Sequence, residues 1–105
     1  MFRWDSKIVT GSSEFKENRE QNLKLARALR ERIETAKKGG PQKFHEKLRE
    51  RGKLPARERL ALLLDRNTPF LEFSTLAANG LYDDEGPSAG IITGVGVIYG
   101  KEALV

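Results

Sequence analysis

The chain has 105 residues, with 19 Lys plus Arg against 15 Asp plus Glu, a formal net charge of +4, one His and no Cys. About a third of the residues are charged and 38% are apolar, a balance that fits one small folded domain and excludes a disordered tail or a membrane span. The missing thiols exclude disulfides, thiolate metal sites and a Cys nucleophile, and make the cytoplasm the default location.

The opening Met1-Phe2-Arg3-Trp4-Asp5 has no apolar run behind it, unlike a secretory signal, and Asp5, Glu14 and Glu17 are unlike a mitochondrial transit peptide. Composition then divides the chain into an extension over 1–13, a helical region over 14–66 rich in Lys, Arg, Glu and Leu, and a strand-forming region over 67–105 rich in Gly, Val, Ile, Thr and Phe.

A first helix is predicted after Thr10-Gly11-Ser12-Ser13, where a serine hydroxyl accepts an orphan amide and Glu14 and Glu17 suit the positive end of the helix dipole. Ala26, Leu29, Ile33 and Ala36 make one narrow apolar stripe, the pattern of a helix lying on a larger body. Opposite charges four apart, such as Glu20 with Lys24 and Glu34 with Lys38, add roughly 0.2–0.5 kcal/mol per pair. Gly39-Gly40-Pro41 ends this helix.

A second helix is predicted from Pro41 to Arg51, with Phe44 and Leu48 on its buried face and Gly52 in the left-handed position that closes it. A third runs from Pro55 to Leu64, with Leu60, Leu63 and Leu64 inward, and stops at the turn cluster Asp65-Arg66-Asn67-Thr68-Pro69. Phe70-Leu71-Glu72-Phe73 reads as a short strand with Leu71 and Phe73 on the buried face. Residues 74–90 hold several turn formers and read as a loop.

The clearest strand is the last. Ile91, Thr93, Val95, Val97 and Tyr99 share one face and Ile92, Gly94, Gly96 and Ile98 the other, so two side chains are missing where another backbone or a ligand comes close. Gly100-Lys101 is expected to form the turn of a hairpin whose return strand is Glu102-Ala103-Leu104-Val105. That strand stops on an apolar edge without its sheet, which predicts the front piece of a longer protein.

No catalytic set emerges from these residues. Gly94, Gly96 and Gly100 lie in a hairpin rather than before a helix, so they do not form a phosphate-cradling loop. His45 has no second His or Cys to complete a metal set and reads as structural, and Asp83-Asp84-Glu85 reads as a solvated loop because its carboxylates are not at alternate positions. Lys43, Lys47, Arg49, Arg51, Lys53, Arg57 and Arg59 concentrate positive charge. Such a group attracts phosphates, RNA or an anionic protein; equally, balanced by Glu46, Glu50 and Glu58, it is a solvated helix face.

The stretch Arg51-Gly52-Lys53-Leu54-Pro55-Ala56-Arg57-Glu58-Arg59-Leu60, then Leu64-Asp65 and Pro69-Phe70-Leu71-Glu72, resembles the opening signature of the carboxyltransferase (beta) subunits of biotin-dependent acyl-CoA carboxylases. Leu81-Tyr82-Asp83-Asp84 with Ala89-Gly90-Ile91-Ile92-Thr93-Gly94-Val95-Gly96 looks nearest the methylcrotonyl-CoA and geranyl-CoA carboxylase branch. The resemblance implies an α/β chain in which N-terminal helices precede a β-hairpin that begins a crotonase-like fold, with 67–105 as the start of the carboxyltransferase domain. It further implies carboxyl transfer from carboxybiotin to an enoyl- or acyl-CoA, 3-methylcrotonyl-CoA being the nearest case. The biotin would be carried by a partner alpha subunit with biotin carboxylase and biotin carrier functions, coenzyme A would enter as the thioester substrate, and the subunit would assemble as a homo-oligomer.

The family's oxyanion-stabilising elements lie further along its chain, so no catalytic residue carries over, the 105 residues are expected to be inactive alone, and no metal is implied. Lys53, Arg57 and Arg59 are the candidate substrate-binding residues, placed near the coenzyme A phosphates where Arg pairs bidentately and Lys acts as a point charge. The same arginines could instead tie their helix to neighbouring carboxylates. A free-standing basic helical module binding RNA or an anionic protein is the alternative function, and it would show a steep salt dependence.

Overall fold

A computed structural model describes all 105 residues. In chain order the elements are α1 (Ser13–Lys37), α2 (Gln42–Glu50), α3 (Ala56–Leu63), β1 (Leu71–Phe73), two short 3₁₀ turns at Tyr82–Asp84 and Pro87–Gly90, β2 (Thr93–Ile98) and β3 (Lys101–Leu104). Met1–Arg32 forms one compact unit and Ile33–Val105 another.

In the first unit, the Ser12 hydroxyl accepts the Phe15 amide at 3.2 Å, the cap expected from the serine cluster. Phe2 and Trp4 meet edge to face with ring centroids 5.2 Å apart. Along α1, Ala26, Ile33 and Ala36 are half-buried while Leu29 is exposed. Near the end of the helix, Glu34 pairs with Lys37, three residues on, rather than with Lys38.

The second unit holds the sheet. Pro41 and Pro55 stand immediately before α2 and α3, where a residue without an amide N–H costs nothing. Gly52 takes φ +68, and the amides of Gly52 and Lys53 reach back to the carbonyls of Arg49 (2.9 Å) and Leu48 (2.8 Å), closing α2 in a Schellman turn. The three strands form an antiparallel sheet in the order β1-β2-β3, with Leu71 opposite Val95, Phe73 opposite Thr93, Val95 opposite Leu104 and Val97 opposite Glu102. Reciprocal bonds between Gly94 and Val105, at 3.0 and 2.9 Å, continue the second ladder.

Packing concentrates where α3 ends and β1 crosses β2. Gly94 and Gly96 are buried, and a Cβ on Gly94 would meet the Leu71 carbonyl oxygen and the Phe70 ring, while one on Gly96 would lie 2.5 Å from Leu64 Cδ2. The close approach anticipated at these glycines is therefore that of Phe70, Leu64 and the β1 backbone. No large hydrophobic side chain is fully enclosed.

Phe44, expected on the buried face of α2, is exposed, and three further local expectations are corrected. The first concerns β1, whose faces are reversed: Leu71 is 64% and Phe73 41% exposed, whereas Phe70 lies on the glycines and the Glu72 side chain is almost covered. A glutamate faces inward here because a guanidinium meets it, and the two bare glycines leave room for a phenylalanine ring. The second concerns the hairpin, which turns at Tyr99-Gly100, with φ +50 and +73, so that Ile98 pairs with Lys101. Two successive left-handed residues match the twist of the flanking strands, as in a type I′ turn. The third is Leu63, which is half-exposed, whereas Leu60 and Leu64 are more deeply placed. Within the 74–90 loop, Ser74, Ala78, Tyr82, Asp83, Asp84, Ser88 and Ala89 all take positive φ, which produces its sequence of tight reversals.

Candidate functional site

The basic residues singled out by sequence separate into two groups once α2 and α3 are in place. Lys43, Arg49 and Arg57 are each engaged by a carboxylate: Lys43 with Glu85 at 3.5 Å, Arg49 with Glu58 at 2.6 Å and Arg57 with Glu72 at 2.8 Å. Lys47, Arg51, Lys53 and Arg59 make no ion pair. The Arg49–Glu58 contact ties α2 to α3, and the Arg57–Glu72 contact ties α3 to β1.

The second tie is the more enclosed. Both terminal nitrogens of the Arg57 guanidinium donate to the two Glu72 carboxylate oxygens at 2.8 Å, with the Arg57 side chain 29% and the Glu72 side chain 8% exposed. Such a planar fork fixes both distance and orientation. The hydrogen bonds from Arg57 hold the Glu72 carboxyl below its ordinary pKa, against the opposing effect of burial, with further help from the charges of Arg57 and Lys37 and a hydrogen bond from Thr75.

Several concavities flank α3: one, of about 370 Å³, is lined by Ala56, Arg59, Leu60, Leu63 and Ile92, and two more also involve α2. One of these two, of about 440 Å³, lies among α2, α3 and the Pro87–Gly90 turn, and its walls include Phe44, His45, Leu48, Arg57, Pro87 and Ile92. His45 is half-buried against the α1–α2 connection, where a Cβ on Gly39 would come within 2.9 Å of its Nε2, in keeping with a structural histidine. The other, of about 500 Å³, is lined by Leu48, Gly52, Lys53, Leu54 and Arg59. Of the three candidate cations, the structure therefore brings Lys53 and Arg59 to one hollow and directs Arg57 to the carboxylate of β1.

Sequence reasoning missed two acidic residues that organise this region. Glu72 is a carboxylate of the kind expected to tie these arginines down, and its place between Leu71 and Phe73 is the only local sign of a buried charge partner. Asp65 was assigned only to a turn cluster. Its carboxylate accepts the amides of Tyr99 (2.8 Å) and Gly100 (2.7 Å), and its own amide donates to the Val97 carbonyl at 2.8 Å. In the acidic run, Asp84 accepts the Gly80 amide at 2.6 Å, so that carboxylate closes its own loop.

Residues 47–105 match the carboxyl transferase domain family. The chain belongs to that family. It is 48% identical over 101 residues to a probable methylcrotonoyl-CoA carboxylase beta chain, mitochondrial, of Drosophila melanogaster, covering 95% of the chain and 18% of the relative. It is 44% identical to the corresponding Dictyostelium discoideum chain, over 96% of its own length and 17% of the relative. A solved structure, the beta subunit of Pseudomonas aeruginosa geranyl-CoA carboxylase, superposes with a TM-score of 0.66 at 36% identity, over 96% of this chain and 19% of the other.

The chain thus falls in the methylcrotonyl-CoA and geranyl-CoA carboxylase branch, and its helices and antiparallel sheet are a segment of the crotonase-type α/β fold. It spans less than a fifth of the length of the relatives described. None of these matches supports a free-standing RNA-binding or anionic-protein-binding module. No helix of the chain is long and apolar enough to cross a membrane.

Proposed function

We propose that this chain works as part of an acyl-CoA carboxylase carboxyltransferase subunit, moving a carboxyl group from carboxybiotin to the carbon acid of an enoyl-CoA, with 3-methylcrotonyl-CoA the nearest substrate. The observation that carries this reading is the match of residues 47–105 to the carboxyl transferase family, together with identities of 44–48% to methylcrotonoyl-CoA carboxylase beta chains over nearly the whole sequence. The reaction requires stabilised oxyanions at the thioester enolate and the biotin ureido oxygen. No acid, base or nucleophile set stands out in these 105 residues, which we therefore take to be inactive in transfer by themselves.

Within the same proposal, biotin arrives on a partner alpha subunit, the complete subunit is a homo-oligomer, and the location is the cytoplasm. Residues 1–13 serve as an extension, 14–66 as a helical region and 67–105 as the beginning of the carboxyltransferase domain. Of the three candidate cations Lys53, Arg57 and Arg59, Lys53 and Arg59 are the ones left to serve the coenzyme A phosphates, Arg57 being engaged by Glu72. Fixation of labelled bicarbonate by the complete subunit, with its biotin-bearing partner and ATP, tests the reading across 3-methylcrotonyl-CoA, geranyl-CoA and propionyl-CoA. The highest kcat/KM is expected for 3-methylcrotonyl-CoA; a preference for propionyl-CoA would replace the branch assignment, and no carboxylated product from any of them would overturn the function.

A further inference from the structure

Lys53, Arg57 and Arg59 lie within seven residues of one another, yet they differ in what their charges are free to do. Arg57 is held in a nearly enclosed fork by Glu72, which neutralises it. Lys53 and Arg59 are exposed, carry no ion pair and line the same hollow. Resting on the carboxyltransferase reading above, we infer that the phosphate subsite for the acyl-CoA substrate is the Lys53–Arg59 hollow, and that Arg57 is a tie between α3 and β1 rather than a phosphate contact.

The two free cations sit on elements whose separation is fixed. Lys53 follows the Schellman turn, its own amide bonded to the Leu48 carbonyl at 2.8 Å, so its backbone leaves α2 in one direction. Arg59 is on α3, which Arg49 and Glu58 hold to α2 at 2.6 Å. A planar guanidinium and a point ammonium lining one hollow from two tied elements suit phosphate oxygens. Between them the wall is apolar, formed by Leu48 and Leu54, and Gly52 contributes no side chain. A bare inorganic anion gains nothing from such a wall, whereas a phosphate ester carrying an organic body buries part of that body against it.

The complete subunit, assembled with its biotin-bearing partner, provides the test. Steady-state KM is measured for 3-methylcrotonyl thioesters of coenzyme A, 3′-dephospho-coenzyme A and pantetheine, and coenzyme A binding is measured separately by calorimetry at low and high salt. Lys53→Ala and Arg59→Ala are expected to raise the coenzyme A thioester KM about tenfold, to weaken coenzyme A binding correspondingly, and to leave the pantetheine thioester KM in place. Their remaining affinity should vary less with salt than that of the wild type. Sensitivity that disappears with the 3′-dephospho thioester assigns the hollow to the 3′-phosphate; sensitivity that persists assigns it to the diphosphate bridge.

Arg57→Lys, which keeps a cation but loses the fork, should lower the melting temperature and leave the ratio of coenzyme A to pantetheine KM unmoved. The inference is overturned when that ratio responds to Arg57→Lys but not to Lys53→Ala or Arg59→Ala, or when wild-type coenzyme A binding is absent or unaffected by both alanine variants. A wild-type subunit that binds coenzyme A yet transfers no carboxyl group defeats the carboxyltransferase reading alone, and the calorimetry still decides the subsite.

Discussion

Arg57 and Glu72, fifteen residues apart, meet in two parallel hydrogen bonds of 2.8 Å and thereby join α3 to the first strand of the sheet. The carboxylate is the more deeply covered partner, so removing the guanidinium leaves a charge with little access to water. Arg57→Ala is expected to cost about 2–3 kcal/mol, at or just below the roughly 3–5 kcal/mol of broken buried pairs because Arg57 retains some exposure. Glu72→Gln, which keeps the shape and one acceptor, should cost less. Denaturant midpoints of the two variants and of the double variant give the coupling between them; additive losses would show that the pair is not a unit.

The lowered Glu72 pKa makes a pH prediction with a definite sign. A carboxyl that ionises more readily in the folded chain contributes stability that is fully present above its unfolded pKa, about 4.3, and is lost as pH falls through the folded value. Melting temperature should therefore decline on acidification below that point, and the decline should be shallower in Glu72→Gln. Identical acid limbs in the two proteins would remove Glu72 as the cause.

Gly94→Ala and Gly96→Ala should differ in severity. The methyl group at 94 meets a backbone carbonyl as well as the Phe70 ring, whereas the one at 96 meets chiefly the movable end of Leu64. Overpacking of this kind costs typically about 1–3 kcal/mol, and Gly94→Ala is expected at or beyond the upper end, with Gly96→Ala lower. Thermal unfolding ranks them, and a larger loss at 96 would contradict the geometry.

Asp65→Ala removes the acceptor for two turn amides at once. Because Tyr99 and Gly100 are exposed, water recovers part of what is lost, and about 1–2 kcal/mol is expected. Amide exchange at Tyr99 and Gly100 should quicken selectively, while exchange at Phe15 in α1 stays as it was.

Much of this architecture was legible in the sequence because local chemistry decides it. Serines before Glu14, prolines at 41 and 55 and the glycine at 52 mark helix ends through hydrogen bonding and backbone conformation alone, and each element end lies within a residue or two of its predicted place. The inward face of β1 was not legible, because Phe70, Leu71 and Phe73 are all apolar and only the distant Arg57, Gly94 and Gly96 decide which side is covered. The hairpin turn was displaced by one residue for a related reason. Gly100 alone favours the first turn position, but Asp65, thirty-four residues upstream of Tyr99, holds a tyrosine at φ +50. At the candidate site, the basic residues could be counted from the sequence, whereas which of them remain unpaired depends on carboxylates brought in by folding.

The bare glycines of β2 also govern which pairings the hairpin can adopt. A slip of one residue along β1 would carry Val95 and Val97, or in the other direction Thr93 and Val95, to the places now held by Gly94 and Gly96, against the Phe70 ring and Leu64. Hydrogen bonds could be remade in the displaced ladder, but two branched side chains would have to enter space that does not admit one methyl group. Mispaired sheets are thus rejected by volume, and the two positions with the least side chain act as the key that admits a single alignment.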